Sequence, residues 1–79
     1  WAPWCSPCKT YAPTFSKISE KFEGQVETLE VNVDLDPNGL AVIYKVRSIP
    51  FTVFVKEDGS IVSKSGNLSE SELEELFLS

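Results

Sequence analysis

The 79-residue chain contains no histidine and no methionine, only two cysteines and only four glycines. Without histidine there is no Cys–His nucleophilic pair and no imidazole general base, so carboxylates, lysine, backbone and water must move any protons. A closed zinc site needs about four N, S or O ligands, and the two cysteines are the only good ones here, so no metal is expected within one chain. Basic residues are also scarce: seven Lys and Arg stand against twelve Asp and Glu, a net charge of −5. That balance offers no basic face to a phosphate backbone, so nucleic acid is not an expected partner. No apolar run approaches the roughly 18 residues of a membrane span, and there is no internal repeat or low-complexity stretch. A membrane is not an expected partner either. At 42% hydrophobic and 11% aromatic, residues 1–79 read as one small domain whose core lies near the lower limit for independent stability. The chain begins at Trp1 without a methionine or a signal-like segment, and a cytoplasmic location is the expectation.

What is present is concentrated at the front. In Trp4-Cys5-Ser6-Pro7-Cys8-Lys9 both cysteines lie three apart beside a proline and a tryptophan. On a helix that spacing puts them on one face, close enough to form and break a disulfide with little backbone movement. Redox use is the favoured reading, a static disulfide or two unreactive thiols the bland one, and a dimer sharing zinc through four thiolates a third.

Ser6-Pro7 suits a helix start, with proline at the first helical position. Tyr11, Phe15, Ile18 and Phe22 then form an apolar stripe at helical spacing, and Gly24 is a stop signal. Pro13 falls inside this helix, removes the donor to the Lys9 carbonyl and should kink the axis. From Val26 to Val33 the alternation changes to period two, which predicts a strand with Leu29, Val31 and Val33 on one face. Asp36-Pro37 reads as an N-cap and first helical residue for a short helix to about Tyr44, with Leu40, Ile43 and Tyr44 inward. Phe51–Val55 and Ile61–Ser65, joined through Asp58-Gly59, predict an antiparallel hairpin. Ser69 with Glu72 predicts a capping box for a last helix carrying Leu73, Leu76 and Phe77.

These landmarks, in this order, resemble the thioredoxin family over essentially the whole chain. Trp1 to Lys9 looks like its active-site stretch, Pro13 like its helix-kinking proline, and Val31-Asn32-Val33-Asp34 like the end of the strand that follows. Ser48-Ile49-Pro50 is similar to its cis-proline loop and Gly66 to its glycine after the last strand. The resemblance implies an α/β fold: a thioredoxin-like three-layer αβα arrangement with a mixed sheet. It also implies a buried central strand ahead of the motif. Only Trp1-Ala2-Pro3 precede the motif here, so we expect a chain that has lost its N-terminal strands, or alternatively a naturally shortened variant that re-pairs those it has. The family's buried aspartate on that strand has no counterpart, and Glu30, on the polar face of its predicted strand, reads as a solvated charge.

By the same resemblance the chain is a protein-disulfide reductase, an enzyme with no bound cofactor beyond a redox-active Cys5–Cys8 disulfide. It is expected to act as a monomer on disulfide-containing protein substrates and to be recharged by a thioredoxin reductase-type donor. Cys5, at a helix N-terminus where N–H groups and the dipole favour thiolate, is the expected nucleophile, and Cys8, one turn further in and more shielded, the resolving thiol. Trp4, Ser6 and Pro7 are expected to support the active site. Trp4, Ile49, Pro50 and Gly66 form the implied substrate rim, with a cis Ile49–Pro50 bond presenting backbone to an extended peptide and Gly66 letting it approach. Lys9 reads as a solvated helix charge. Ser6 stands where the best-known members carry glycine and is expected to tune the potential. Two rivals remain, a thiol oxidase or isomerase of secreted proteins and a non-catalytic binding module.

Overall fold

The computed structural model describes all 79 residues, Trp1 to Ser79. Helix α1 spans Ser6–Lys21, followed by a 3-10 turn at Val33–Leu35 and a short helix α2 at Leu40–Ile43. Strands β1 (Phe51–Val55) and β2 (Ile61–Ser65) and helix α3 (Glu70–Leu78) complete the order.

The apolar stripe of α1 does what its spacing predicts. Tyr11, Ile18 and Phe22 are buried with Leu68 and Leu73, and Phe15, Phe54, Leu76 and Phe77 pack against them. Phe77 is the hub: it stacks on Phe22 at 5.1 Å and takes the edge of Phe54 at 5.4 Å, linking α1, β1 and α3. Full burial of Ile18 and Leu73 stabilises the fold by about 1.5–3 kcal/mol each. Lys17 and Lys21 of α1 reach Glu70 and Glu74 of α3 at 2.8 and 3.6 Å, exposed pairs that align the helices more than they stabilise them. The side chain of Ser69 accepts from the Glu72 N–H while Glu72 accepts from the Ser69 N–H, which is the predicted capping box. Between α1 and β1, the Tyr11 hydroxyl meets Thr52 Oγ1 at 2.8 Å, so the buried threonine has a partner.

The hairpin forms as predicted, antiparallel with Phe51 opposite Ser65 and Val55 opposite Ile61. The strand predicted at Val26–Val33 does not form. Residues 27–32 are irregular, and the 3-10 turn begins at Val33. Alternation specifies which face would be buried but not a ladder partner, and β1 pairs only with β2. An apolar groove of about 670 Å³, lined among others by Val31, Tyr44, Phe51 and Val53, lies between this segment and β1. Leu29, predicted inward, is exposed. The one fragment of parallel pairing is at Trp1, whose N-terminal ammonium donates to the Val31 carbonyl at 3.0 Å and whose carbonyl accepts from Val33 N–H at 2.9 Å.

Helix α2 is shorter than predicted. It starts at Leu40 behind Gly39, whose φ of 64° is left-handed, and not at Pro37. Asp36 still caps it, from further away: its carboxylate accepts from the Leu40 and Ala41 N–H groups at 3.0 and 2.9 Å. Ile43, predicted inward, is exposed, while Leu40 and Tyr44 are half-buried.

Candidate active site

A second apolar cluster lies at the N-terminal end of α1. Ala2, Cys5 and Cys8 are buried there, with Val33 and Ile49 packed against them. Cys5 is the N-cap of α1, in extended conformation, and its sulfur accepts the Cys8 N–H at 3.2 Å. Its own N–H is satisfied by the Ala2 carbonyl at 3.1 Å, closing the turn before the helix. Pro7 sits in the first turn of α1, at the second helical position and not the predicted first, where its missing donor is one of those a helix start leaves unpaired. Further along α1, Pro13 leaves the Lys9 carbonyl without its helical donor, as its place in the sequence requires.

Cys5 and Cys8 are joined in a disulfide, with Cα atoms 5.3 Å apart. Both are 4% exposed, so in this oxidised state Cys8 is no more shielded than Cys5, contrary to expectation. What distinguishes them is electrostatic: only the Cys5 sulfur holds the N-cap position and a backbone donor.

Ser6 and Pro7 are exposed beside the pair, and Trp4 is 67% exposed, so it is a surface side chain and not a core one. Its indole is nonetheless held, because Nε1 donates to Asp34 Oδ2 at 3.0 Å. Asp34 is in turn positioned by the 3-10 turn, its N–H donating to Asn32 Oδ1 at 2.9 Å. With the two backbone bonds of Trp1, three hydrogen bonds tie residues 1–4 to residues 31–34. The sequence places Asp34 only at the end of the segment that resembles the following strand and does not reveal this role; thirty positions separate it from Trp4, and no local pattern marks such a contact.

The Ile49–Pro50 peptide bond is cis. Ile49 is half-buried against the cysteine cluster, and neither its N–H nor its C=O has a backbone partner. The Pro50 carbonyl, by contrast, accepts the Gly66 N–H at 2.8 Å, which fixes the last predicted rim residue beside the loop. Gly66 is at φ +82°, a backbone conformation that favours glycine, and a Cβ there would meet nothing within 4 Å. The position is set by backbone conformation, and the space over it is open to an approaching chain. All the residues singled out from sequence, Trp4, Cys5, Ser6, Pro7, Cys8, Ile49, Pro50 and Gly66, therefore lie on the N-terminal turn of α1 and the loops beside it. Glu30 is exposed, as expected for a solvated charge. No helix is long and apolar enough to cross a membrane.

Chemically, the arrangement offers a disulfide between the N-cap and the first turn of one helix, a backbone donor aimed at the Cys5 sulfur, and an unpaired backbone segment alongside. Such a pair can open and close with little movement of the chain.

Comparison with known proteins agrees with this geometry. The family model described as Thioredoxin matches residues 1–78. A thioredoxin of Buchnera aphidicola is 36% identical over 77 residues, covering 98% of this chain and 70% of that protein. A thioredoxin of Synechocystis is 45% identical over 56 residues, covering 71% of this chain and 51% of that protein. The chain thus spans about half to 70% of the length of these relatives. Among solved structures, chloroplastic thioredoxin z superposes with a TM-score of 0.82 at 24% identity, over 96% of this chain and 68% of the other. A structure described as a malarial protein superposes at 0.85 and 23% identity, over 99% and 86%. These two likenesses establish the fold.

Proposed function

This chain belongs to the thioredoxin family, and on that premise we propose that it is a thiol–disulfide oxidoreductase that reduces protein disulfides through Cys5 and Cys8. The observation that carries the proposal is the closed Cys5–Cys8 disulfide at the start of α1, with the Cys8 N–H on the Cys5 sulfur. In the reduced protein that donor and the helix dipole favour the Cys5 thiolate. The thiolate attacks one sulfur of a substrate disulfide; the substrate S–S bond breaks, and the departing sulfur leaves as thiolate and takes a proton from water. Cys8 then gives up its proton and attacks the Cys5 sulfur, releasing the second substrate thiol and closing Cys5–Cys8. Two electrons pass from the dithiol to the substrate, and an external dithiol reductase of the thioredoxin reductase type restores them.

No bound cofactor takes part. Trp4, Ile49, Pro50 and Gly66 form the rim on which an extended polypeptide lies, the free N–H and C=O of Ile49 pairing with its backbone as an added strand does. Ser6 and Pro7 hold the turn between the two sulfurs. The protein works as a monomer, in a reducing compartment such as the cytoplasm, where a donor can keep the pair reduced.

Trapping tests this assignment. Cys8→Ser should accumulate a mixed disulfide between Cys5 and a disulfide-containing protein, visible by mass spectrometry and released by dithiothreitol. Cys5→Ser should accumulate none. A complex retained on Cys8 in the Cys5→Ser protein, with none on Cys5, would reverse the roles.

A further inference from the structure

The chain is acidic as a whole, but charge is not spread evenly around the cysteine pair. Within two residues along the chain of Trp4–Cys8, of Ile49–Pro50 and of Gly66 lie Lys9, Arg47 and Lys64, and none of the twelve acidic residues. All three cations are exposed. Asp34 and Glu30 reach this region through space: the Asp34 carboxylate is engaged by the Trp4 indole, and Glu30 acts on the Trp1 ammonium. Three cations against Asp34 and Glu30 leave the rim at +1, while ten carboxylates and four cations leave the rest of the chain at −6, for the net −5.

Proximity follows from the backbone. Two residues span at most about 7 Å, so Arg47 lies within that reach of Ile49, and Lys64 of Gly66, whose N–H is bonded to the Pro50 carbonyl. Lys9 adjoins Cys8. The molecule extends 29 Å along its longest axis, whereas charges are screened over about 10 Å at 0.1 M salt. Glu70 and Glu74 of α3 are moreover paired with Lys17 and Lys21. A polypeptide lying across the rim therefore responds to Lys9, Arg47 and Lys64 before it responds to the net charge.

We infer that the rim selects disulfides carried on acidic polypeptide segments, the cations at positions 9, 47 and 64 meeting carboxylates that flank the target cysteine. The inference rests on the exchange activity proposed above and narrows its substrate class. The division of labour is physical: Trp4 and Ile49 give apolar contact to any extended chain, while the peripheral cations favour encounter with one sign of charge and oppose the other.

Three peptides test it, sharing one central disulfide flanked by aspartates, serines or lysines, with kcat/KM measured under dithiothreitol at about 0.1 M salt. The acidic peptide should exceed the basic one about tenfold, and the ratio should fall toward unity at about 1 M salt, where screening shortens to about 3 Å. Arg47→Glu with Lys64→Glu lies away from the helix that carries the cysteines and should lower the ratio at least about fivefold when each rate is normalised to the serine peptide. A wild-type ratio of one or below, or a ratio untouched by the charge reversal, overturns the inference. If no peptide is reduced, the serine one included, it is the exchange activity that fails. The charge preference is then read from binding of the same peptides, with serine replacing cysteine, to the oxidised protein by tryptophan fluorescence: tighter binding of the acidic peptide supports it, and equal or weaker binding overturns it.

Discussion

The Trp4 indole and the Asp34 carboxylate, thirty residues apart in sequence, are joined by a 3.0 Å hydrogen bond across the mouth of the cysteine pair. A tryptophan that is 67% exposed gains little from burial, so this bond is what gives it a defined orientation. Asp34→Ala should free the ring and raise KM for a protein disulfide about threefold, with kcat nearly unchanged. Asp34→Asn keeps an oxygen acceptor and should restore most of the loss. Trp fluorescence anisotropy measured on the same proteins should fall in the alanine variant and recover in the asparagine one.

Tyr11 and Thr52 predict a stability effect that leaves the cysteines untouched. Tyr11→Phe removes one partner of the 2.8 Å bond and leaves the buried Thr52 hydroxyl unsatisfied, at a cost of about 1–2 kcal/mol. For a chain of this size each kcal/mol lowers Tm by about 4–8 °C. Adding Thr52→Val removes the orphaned hydroxyl and should recover part of the loss in a thermal melt.

The same tyrosine sets an alkaline limit. Burial raises its pKa above the ordinary value, outweighing the lowering effect of the Thr52 bond. The unfolded phenol gives up its proton near pH 10, while the folded one keeps it to higher pH. Stability linked to Tyr11 is therefore intact below about pH 10 and is lost as pH rises from there through the folded pKa. A urea titration series from pH 8 to pH 11, flanking that value, should show this decline in the wild type and a shallower one in Tyr11→Phe.

At the other end of the core, Ser69→Ala opens the capping box of α3 and should cost about 1 kcal/mol. Because Leu73 and Phe77 hang on that helix, the loss should reach the packing around Phe22 and Phe54. Hydrogen exchange should show faster opening of α3 than of α1.

Much of this was legible in the sequence wherever the signal is local. The stripe from Tyr11 to Phe22, the Asp58-Gly59 hairpin and the Ser69–Glu72 box each carry their instruction within a few residues, and each forms as read. Segment 26–33 shows why the same logic fails elsewhere: alternation names a face, but a ladder needs a neighbour, and only Trp1 meets it. Helix α2 begins late because Asp36 caps it across an intervening turn, a reach that spacing rules do not anticipate. At the site, the residue types and their order were readable. The Trp4–Asp34 bond and the equal burial of the two cysteines depend on how distant segments pack, so they were not.

A redox titration of Cys5–Cys8 against a dithiol buffer, with turnover of a disulfide-containing protein followed in parallel, decides whether the pair is reversible and used to reduce protein disulfides. A reductase should show a two-electron midpoint near the thioredoxin value of about −270 mV, displaced a few tens of millivolts by Ser6, together with catalytic turnover. A midpoint near about −180 to −120 mV, where secretory isomerases and oxidants lie, or a pair that neither opens nor turns over, would contradict it.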